Sequence, residues 1–187
     1  MRLRTSLAVL ALFLVLVASG QQVPRRAGEF AISATDGNQI LLSQYSGKVV
    51  LLAFMFTTCP HCQHTSGILS GIQKEYADRG LQIVGAFFND NADKLIPGFV
   101  AQFQPAFPVG YATREQVNEY LQHAPGKPTY VPELIFIDRN RQIRAQYTGN
   151  DDFFKDQDKN IRALVESLLK EPATAKKSGH SAAKKQS

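Results

Sequence analysis

Tryptophan is absent from this 187-residue chain, and cysteine occurs only twice. The two cysteines, Cys59 and Cys62, stand so close in sequence that a bridge between them closes almost no loop and adds little stability. No disulfide framework can therefore staple the chain, and a four-cysteine zinc site is excluded. A mixed zinc site would need histidine, but His61, His64, His123 and His180 do not follow zinc-site spacing. Long apolar runs are scarce as well. The longest, Leu7–Ala18, is short for a membrane-spanning helix. Excess charge is missing from the body of the chain. Of 21 Lys+Arg and 16 Asp+Glu, setting aside Arg2, Arg4, Lys176, Lys177, Lys184, Lys185 and Glu171 leaves 15 of each sign in residues 21–170. A nucleic-acid domain concentrates basic charge on its folded body, so that class is excluded. No internal repeat is present, and a solenoid is excluded with it.

What is there begins with an expected export signal, Met1–Gly20: charged Arg2 and Arg4, the apolar stretch Leu7–Ala18, then small Ala18-Ser19-Gly20. An uncleaved N-terminal anchor is the alternative; no cysteine follows that would carry a lipid. Residues 21–27 read as a linker and 28–170 as one domain with a real core. Residues 171–187 are expected to be a disordered basic tail, rich in Lys, Ser and Ala without apolar periodicity.

The centre of the domain is Lys48–His64, KVVLLAFMFTTCPHCQH. Val49–Phe56 is apolar throughout and predicts a strand buried on both faces. Cys59-Pro60-His61-Cys62 follows, and Ile68, Leu69, Ile72 and Tyr76 then recur at helical spacing, predicting a helix over Pro60–Ala77 that Gly80 stops. Both sulfurs thus sit at a helix N-terminus, where unsatisfied N–H groups and the helix dipole stabilise a thiolate. Thiolate attack is the step that thiol–disulfide exchange requires.

Around this unit the pattern predicts a hairpin, Phe30–Ala34 with Gln39–Leu42, turned at Asp36-Gly37-Asn38. Leu81–Phe88 reads as a strand parallel to the first. A helix follows the cap-rich Asn89–Asp93, its regular start delayed by Pro97-Gly98, and Phe107–Tyr111 reads as an edge strand because of Pro108. Thr113 caps a further helix. Glu133–Asp138 and Gln142–Tyr147 form a second hairpin, Asn150–Asp156 a loop, and the stripe Ile161, Leu164, Val165, Leu168, Leu169 the last helix.

Strand, C-x-x-C, helix and, downstream, Lys127-Pro128-Thr129-Tyr130-Val131-Pro132 before a strand occur in the order that resembles the thioredoxin superfamily, in particular its exported TlpA-like (redoxin-type) branch. The resemblance spans roughly residues 28–170. It implies an α/β thioredoxin-like fold, a central mixed sheet flanked by helices, with an N-terminal β extension. It implies a thiol–disulfide oxidoreductase that exchanges its Cys59–Cys62 pair with protein thiols and disulfides, as a monomer, without cofactor or metal, in the periplasm or at the extracytoplasmic face. The membrane would be met only through an uncleaved N-terminal segment. By the same resemblance Pro132 is cis and its loop faces the dithiol.

Within that frame Cys59 is the expected nucleophile and Cys62 the resolving thiol, while Pro60 starts the helix. His61, between the cysteines, would stabilise the Cys59 thiolate as a donor or cation; His64 reads as a solvated residue. Familiar features are missing: Thr58 stands where thioredoxins carry tryptophan, Ala53 where they carry a buried acid, and Thr65 where TlpA-like reductases often carry glutamate. Glu133, directly after Pro132, is then the one acid expected near the sulfurs, as a possible proton acceptor or else as a strand-end carboxylate facing water. Two other functions stay open. A peroxide-reducing, peroxiredoxin-like redoxin would place threonine where Phe56 stands and a proline upstream, which Lys48–Phe56 lacks. A copper or metallochaperone module on this fold favours C-x-x-x-C.

Overall fold

The computed structural model describes residues 23–124 and 126–173, so the expected signal and residues 174–187 of the expected tail lie outside the described residues. Val49–Met55 (β4) is buried at every residue, as its unbroken apolar run requires. It pairs in parallel with Leu81–Phe87 (β5), from Val49 opposite Leu81 to Met55 opposite Phe87. On its other side it pairs antiparallel with Glu133–Ile137 (β7). Around these lie Arg25–Arg26 (β1), Ala31–Ser33 (β2), Gln39–Leu41 (β3), Val109–Tyr111 (β6) and Gln142–Tyr147 (β8). They complete one eight-stranded mixed sheet in the order β1-β8-β7-β4-β5-β6-β2-β3.

Alternate residues of the central strands feed two cores. Leu51, Ala53 and Met55 pack with Cys62, Leu69 and Ile72 of Pro60–Tyr76 (α1), Ile96 and Phe99 of Ala92–Phe103 (α2), and Ile161 and Val165 of Gln157–Lys170 (α4). Val50, Leu52 and Phe54 face the other way, onto Val117 and Leu121 of Arg114–Leu121 (α3) and onto Phe30 and Ile32. Among the described residues, three α-helices thus cover one face of the sheet and one covers the other. Each fully buried aliphatic side chain in these cores contributes about 1.5–3 kcal/mol. Among the described residues no helix is long and apolar enough to cross a membrane.

Several expectations change. Arg25–Arg26, placed in the linker, form a strand along the open edge of β8, and Ala27 behind them is buried. Helix α2 starts at Ala92 and runs through Pro97, which lies on its exposed side; Phe99 packs at 4.6 Å from Phe87 and fixes the helix in spite of one missing N–H donor. Strand β6 is internal, because the N-terminal hairpin extends the sheet beyond it and Pro108 lies before the first ladder residue. Asp152–Asp156 is a short 3-10 helix leading into α4, not a loop. Glu171, assigned to the tail, is bound: Arg139 Nη1 donates to the carbonyls of Leu169 (2.7 Å) and Glu171 (2.8 Å), capping the end of α4.

The joint between β6 and the hairpin is tight. A Cβ on Gly110 would lie 2.4 Å from the carbonyl oxygen of Ser33 and 2.7 Å from Cγ2 of Ile32. The neighbour is backbone and cannot swing aside. Gly110→Ala should therefore destabilise the protein by about 2 kcal/mol and lower its melting temperature by about 5 °C or more. An unchanged melting temperature would show that β2 is not held against β6.

Candidate active site

The parallel ladder ends level on β4 and β5, and the next residues of each strand meet. Thr57 and Asn89 stand two places past the last pair, Met55 and Phe87. The Thr57 amide donates to Asn89 Oδ1 at 2.9 Å, and Asn89 Nδ2 donates to the Thr57 hydroxyl at 3.1 Å. Gln63, one turn into α1, donates through Nε2 to the Thr57 carbonyl at 2.9 Å. These bonds hold the turn that delivers Cys59 to the helix N-terminus. The sequence reading missed Thr57, Gln63 and Asn89. The signal was available once parallel pairing was assumed, since Val49 and Leu81 share the same offset as Thr57 and Asn89.

Cys59 is the N-cap of α1 with extended backbone (φ −86°, ψ 119°), and Pro60 occupies the first turn as expected. Both cysteines are free thiols; Cys59 is half-buried and Cys62 has no exposed surface. Burial pushes the Cys62 thiol well up from its ordinary value, opposed by the Phe56 amide, which donates to its sulfur at 3.4 Å. Thr58, Pro60, His61 and His64 are exposed around the turn. Ala53 is buried in the same core as Cys62. The Thr65 hydroxyl, where a glutamate was absent, donates to Gln157 Oε1 at 2.8 Å and ties α1 to α4.

The Val131–Pro132 bond is cis. Strand β7 starts where antiparallel β4 ends, with Glu133 opposite Phe54, so Pro132 lies at the dithiol end of the sheet. Val131 and Cys59 pack against the same core. Gly149 presses on this loop: a Cβ there would lie 2.6 Å from the Val131 carbonyl oxygen. The Gly149 amide and the Thr148 hydroxyl both donate to the Tyr130 carbonyl, at 2.9 and 3.0 Å.

Glu133 is not where either expectation put it. It is fully buried, and paired with Phe54 it points to the α3 face of the sheet, opposite the core that holds Cys62. Its Oε1 accepts from Gln146 Nε2 at 2.8 Å, and its Oε2 lies 3.1 Å from His123 Nε2. Burial pushes Glu133 up to about 7, with Gln146 and Arg25 pulling it back, and burial lowers His123. Both shifts favour an uncharged pair sharing one proton. The alternation of side chains along β7, set by a register that sequence does not reveal, takes this carboxyl away from the sulfurs.

Residues 20–146 match the AhpC/TSA family. The chain belongs to the AhpC/TSA family. Among curated proteins, thiol-disulfide oxidoreductase ResA of Bacillus thuringiensis subsp. konkukian is 28% identical over 128 residues, covering 68% of this chain and 70% of that protein. The thioredoxin-like protein YneN of Bacillus subtilis is 30% identical over 95 residues, about half of each chain. Among solved structures, a thiol:disulfide interchange protein of the thioredoxin family from Chlorobium tepidum superposes with a TM-score of 0.66 at 22% identity, covering 80% of this chain and 99% of that one. The thioredoxin domain of a thiol-disulfide oxidoreductase from Bacteroides vulgatus gives 0.59 at 20% identity, covering 73% and 95%. This AhpC/TSA member therefore has the thioredoxin-like fold and is TlpA-like, and its class is thiol–disulfide oxidoreductase.

The partial exposure of Cys59 and the full burial of Glu133 each have a measurable consequence. Limited alkylation of the reduced protein, read by mass spectrometry, should label Cys59 at least about tenfold faster than Cys62, because only Cys59 is reachable; equal labelling would refute the assignment. The second concerns pH. Glu133 sits above its ordinary 4.5 when folded, so its stabilising contribution is full below that value and is lost as pH rises through about 7. His123 acts oppositely, its contribution present above 6.5 and lost on acidification. Between pH 6.5 and 8 Glu133 dominates, and Glu133→Gln should gain about 1 kcal/mol relative to wild type across that interval. Parallel denaturant curves at the two pH values would contradict the buried-carboxyl reading.

Proposed function

We propose that the chain is an exported oxidoreductase that exchanges electrons with protein partners through Cys59 and Cys62. The observation that carries this reading is the asymmetry of the pair: Cys59 half-exposed at the start of α1, Cys62 sealed one turn inside. In the reducing direction the Cys59 thiolate attacks one sulfur of a partner disulfide, and the partner's other sulfur leaves as a thiolate and takes up a proton. Cys62, losing its proton to solvent, then attacks the Cys59 sulfur. The partner's second sulfur leaves, the partner has gained two electrons, and the chain holds the Cys59–Cys62 disulfide. The oxidising direction is the reverse. The dithiol is the redox group, so the reaction requires no bound cofactor. Pro132 is the wall beside the sulfurs, and export rests on the charged, apolar and small-residue series of Met1–Gly20.

The direction follows from what stabilises the Cys59 thiolate, since the same groups stabilise the reduced state and make the disulfide a better oxidant. The start of α1 and exposed His61 act in that sense. So does Ala53, since a carboxylate in its place would oppose a thiolate. The protein should therefore be more oxidising than thioredoxin at about −270 mV. Equilibration with glutathione buffers, reading the reduced fraction by thiol trapping, measures this. A potential at or below thioredoxin's would place the protein among the reductants, and a Cys62→Ser variant that traps no partner as a mixed disulfide on Cys59 would overturn protein exchange itself.

A further inference from the structure

The loop that carries Pro132 leaves α3 at Gln122 and enters β7 at Glu133, and its two ends are joined. Glu133 has no exposed surface, and His123 has a side-chain exposure of 12%. Their side chains meet at 3.1 Å across ten residues of chain. Each end is fixed independently. Gln122 closes α3 in the left-handed conformation (φ 58°), and the His123 amide donates to the Asn118 carbonyl at 3.0 Å. Glu133 is held by its place opposite Phe54. Gln146 on β8 braces the junction by donating both to Glu133 Oε1 (2.8 Å) and to the Leu121 carbonyl (3.1 Å), while Arg25 on β1 donates to Gln146 Oε1 at 2.8 Å.

A buried carboxyl is costly, and the other four residues of β7 are apolar. Burial against Phe54 alone would be better served by leucine. The carboxyl is turned away from the sulfurs, so thiol chemistry does not account for it either. Its polar contacts lead to the base of the loop. Among the described residues, the backbone tethers inside the loop are Lys127 N to the Ala124 carbonyl, at 3.2 Å, and the Tyr130 carbonyl to Gly149 and Thr148. Lys127, Pro128 and Tyr130 are exposed.

We propose that His123 and Glu133 are positioning residues for partner docking: their contact clasps the base of the 123–133 loop and so sets where Val131 and Pro132 stand beside Cys59. This rests on the reading of Cys59 as the exchanging thiol and of the loop as the wall against which a partner lies. Such a clasp governs how well a polypeptide is bound and leaves the reactivity of the sulfurs alone. A small thiol, which needs no wall, should not sense it.

The test uses the full chain as the disulfide, reacted at pH 7 with two reductants: reduced glutathione and a synthetic peptide dithiol. Reduction is followed by acid quench and mass spectrometry. Glu133→Leu and His123→Ala should each raise the half-saturating peptide concentration about tenfold, with the rate toward glutathione within about twofold of wild type. Glu133→Gln keeps a hydrogen-bonding group of the same shape at the junction and should retain peptide saturation close to wild type. Should Glu133→Leu fail to fold by circular dichroism, His123→Ala and Glu133→Gln carry the comparison. Equal losses toward both reductants would mean that the pair acts on the thiols, and unchanged peptide saturation in His123→Ala would mean that it positions nothing. Either result overturns the inference alone. A wild-type disulfide inert toward both reductants would overturn the exchange reading, and the inference with it.

Discussion

The parallel ladder between β4 and β5 is the constraint on which the dithiol end depends. Its register brings Met55 and Phe87 to the same height, so the two chains leave the sheet together and Thr57 meets Asn89. That contact, with Gln63 closing onto the Thr57 carbonyl, decides where α1 begins and therefore where the sulfurs stand. A slip of one residue in the ladder would turn every β4 side chain to the opposite core and break this turn. The buried apolar surface of β4 makes such a slip expensive, so the stability of the centre and the geometry of the site have one physical origin.

The two cysteines differ because of where the helix starts and not because of their chemistry. Cys59 caps α1 and keeps partial access to solvent, whereas Cys62 falls on the face of α1 that packs against β4. There the amide of Phe56 donates to its sulfur, and Thr65 and Ala53 offer no carboxylate. A buried thiol in such surroundings holds its proton firmly.

The opposite face of the sheet carries the larger departure from expectation. Glu133, His123, Gln146 and Arg25 form a polar junction among otherwise apolar neighbours, at the foot of the proline loop. Buried polar groups of this kind persist when their partners are supplied by several elements at once, and here α3, β1, β7 and β8 each contribute. The site is thus braced on both sides of the sheet: Asn89 and Gln63 on the sulfur side, His123 and Glu133 beneath the loop.

Local features were legible without the fold. The β4 run, the C-x-x-C, the start of α1 at Pro60, the stop at Gly80, the Thr113 cap and the stripe of α4 each follow from a period or from one residue's backbone preference. The resemblance in motif order placed Pro132, whose peptide bond is cis. Features that join distant segments were not legible. Pro108 argued for an edge, yet β2 covers β6, and Pro97 argued for a late helix, yet Phe99 on Phe87 holds α2 from Ala92. The side of the sheet to which Glu133 turns depends on the register of β7 against β4, and a period of two read from one strand cannot say which face is which. Composition and local periodicity determined that this chain carries a dithiol at the start of a helix; register and packing decided which groups surround it, because those contacts join residues far apart in sequence.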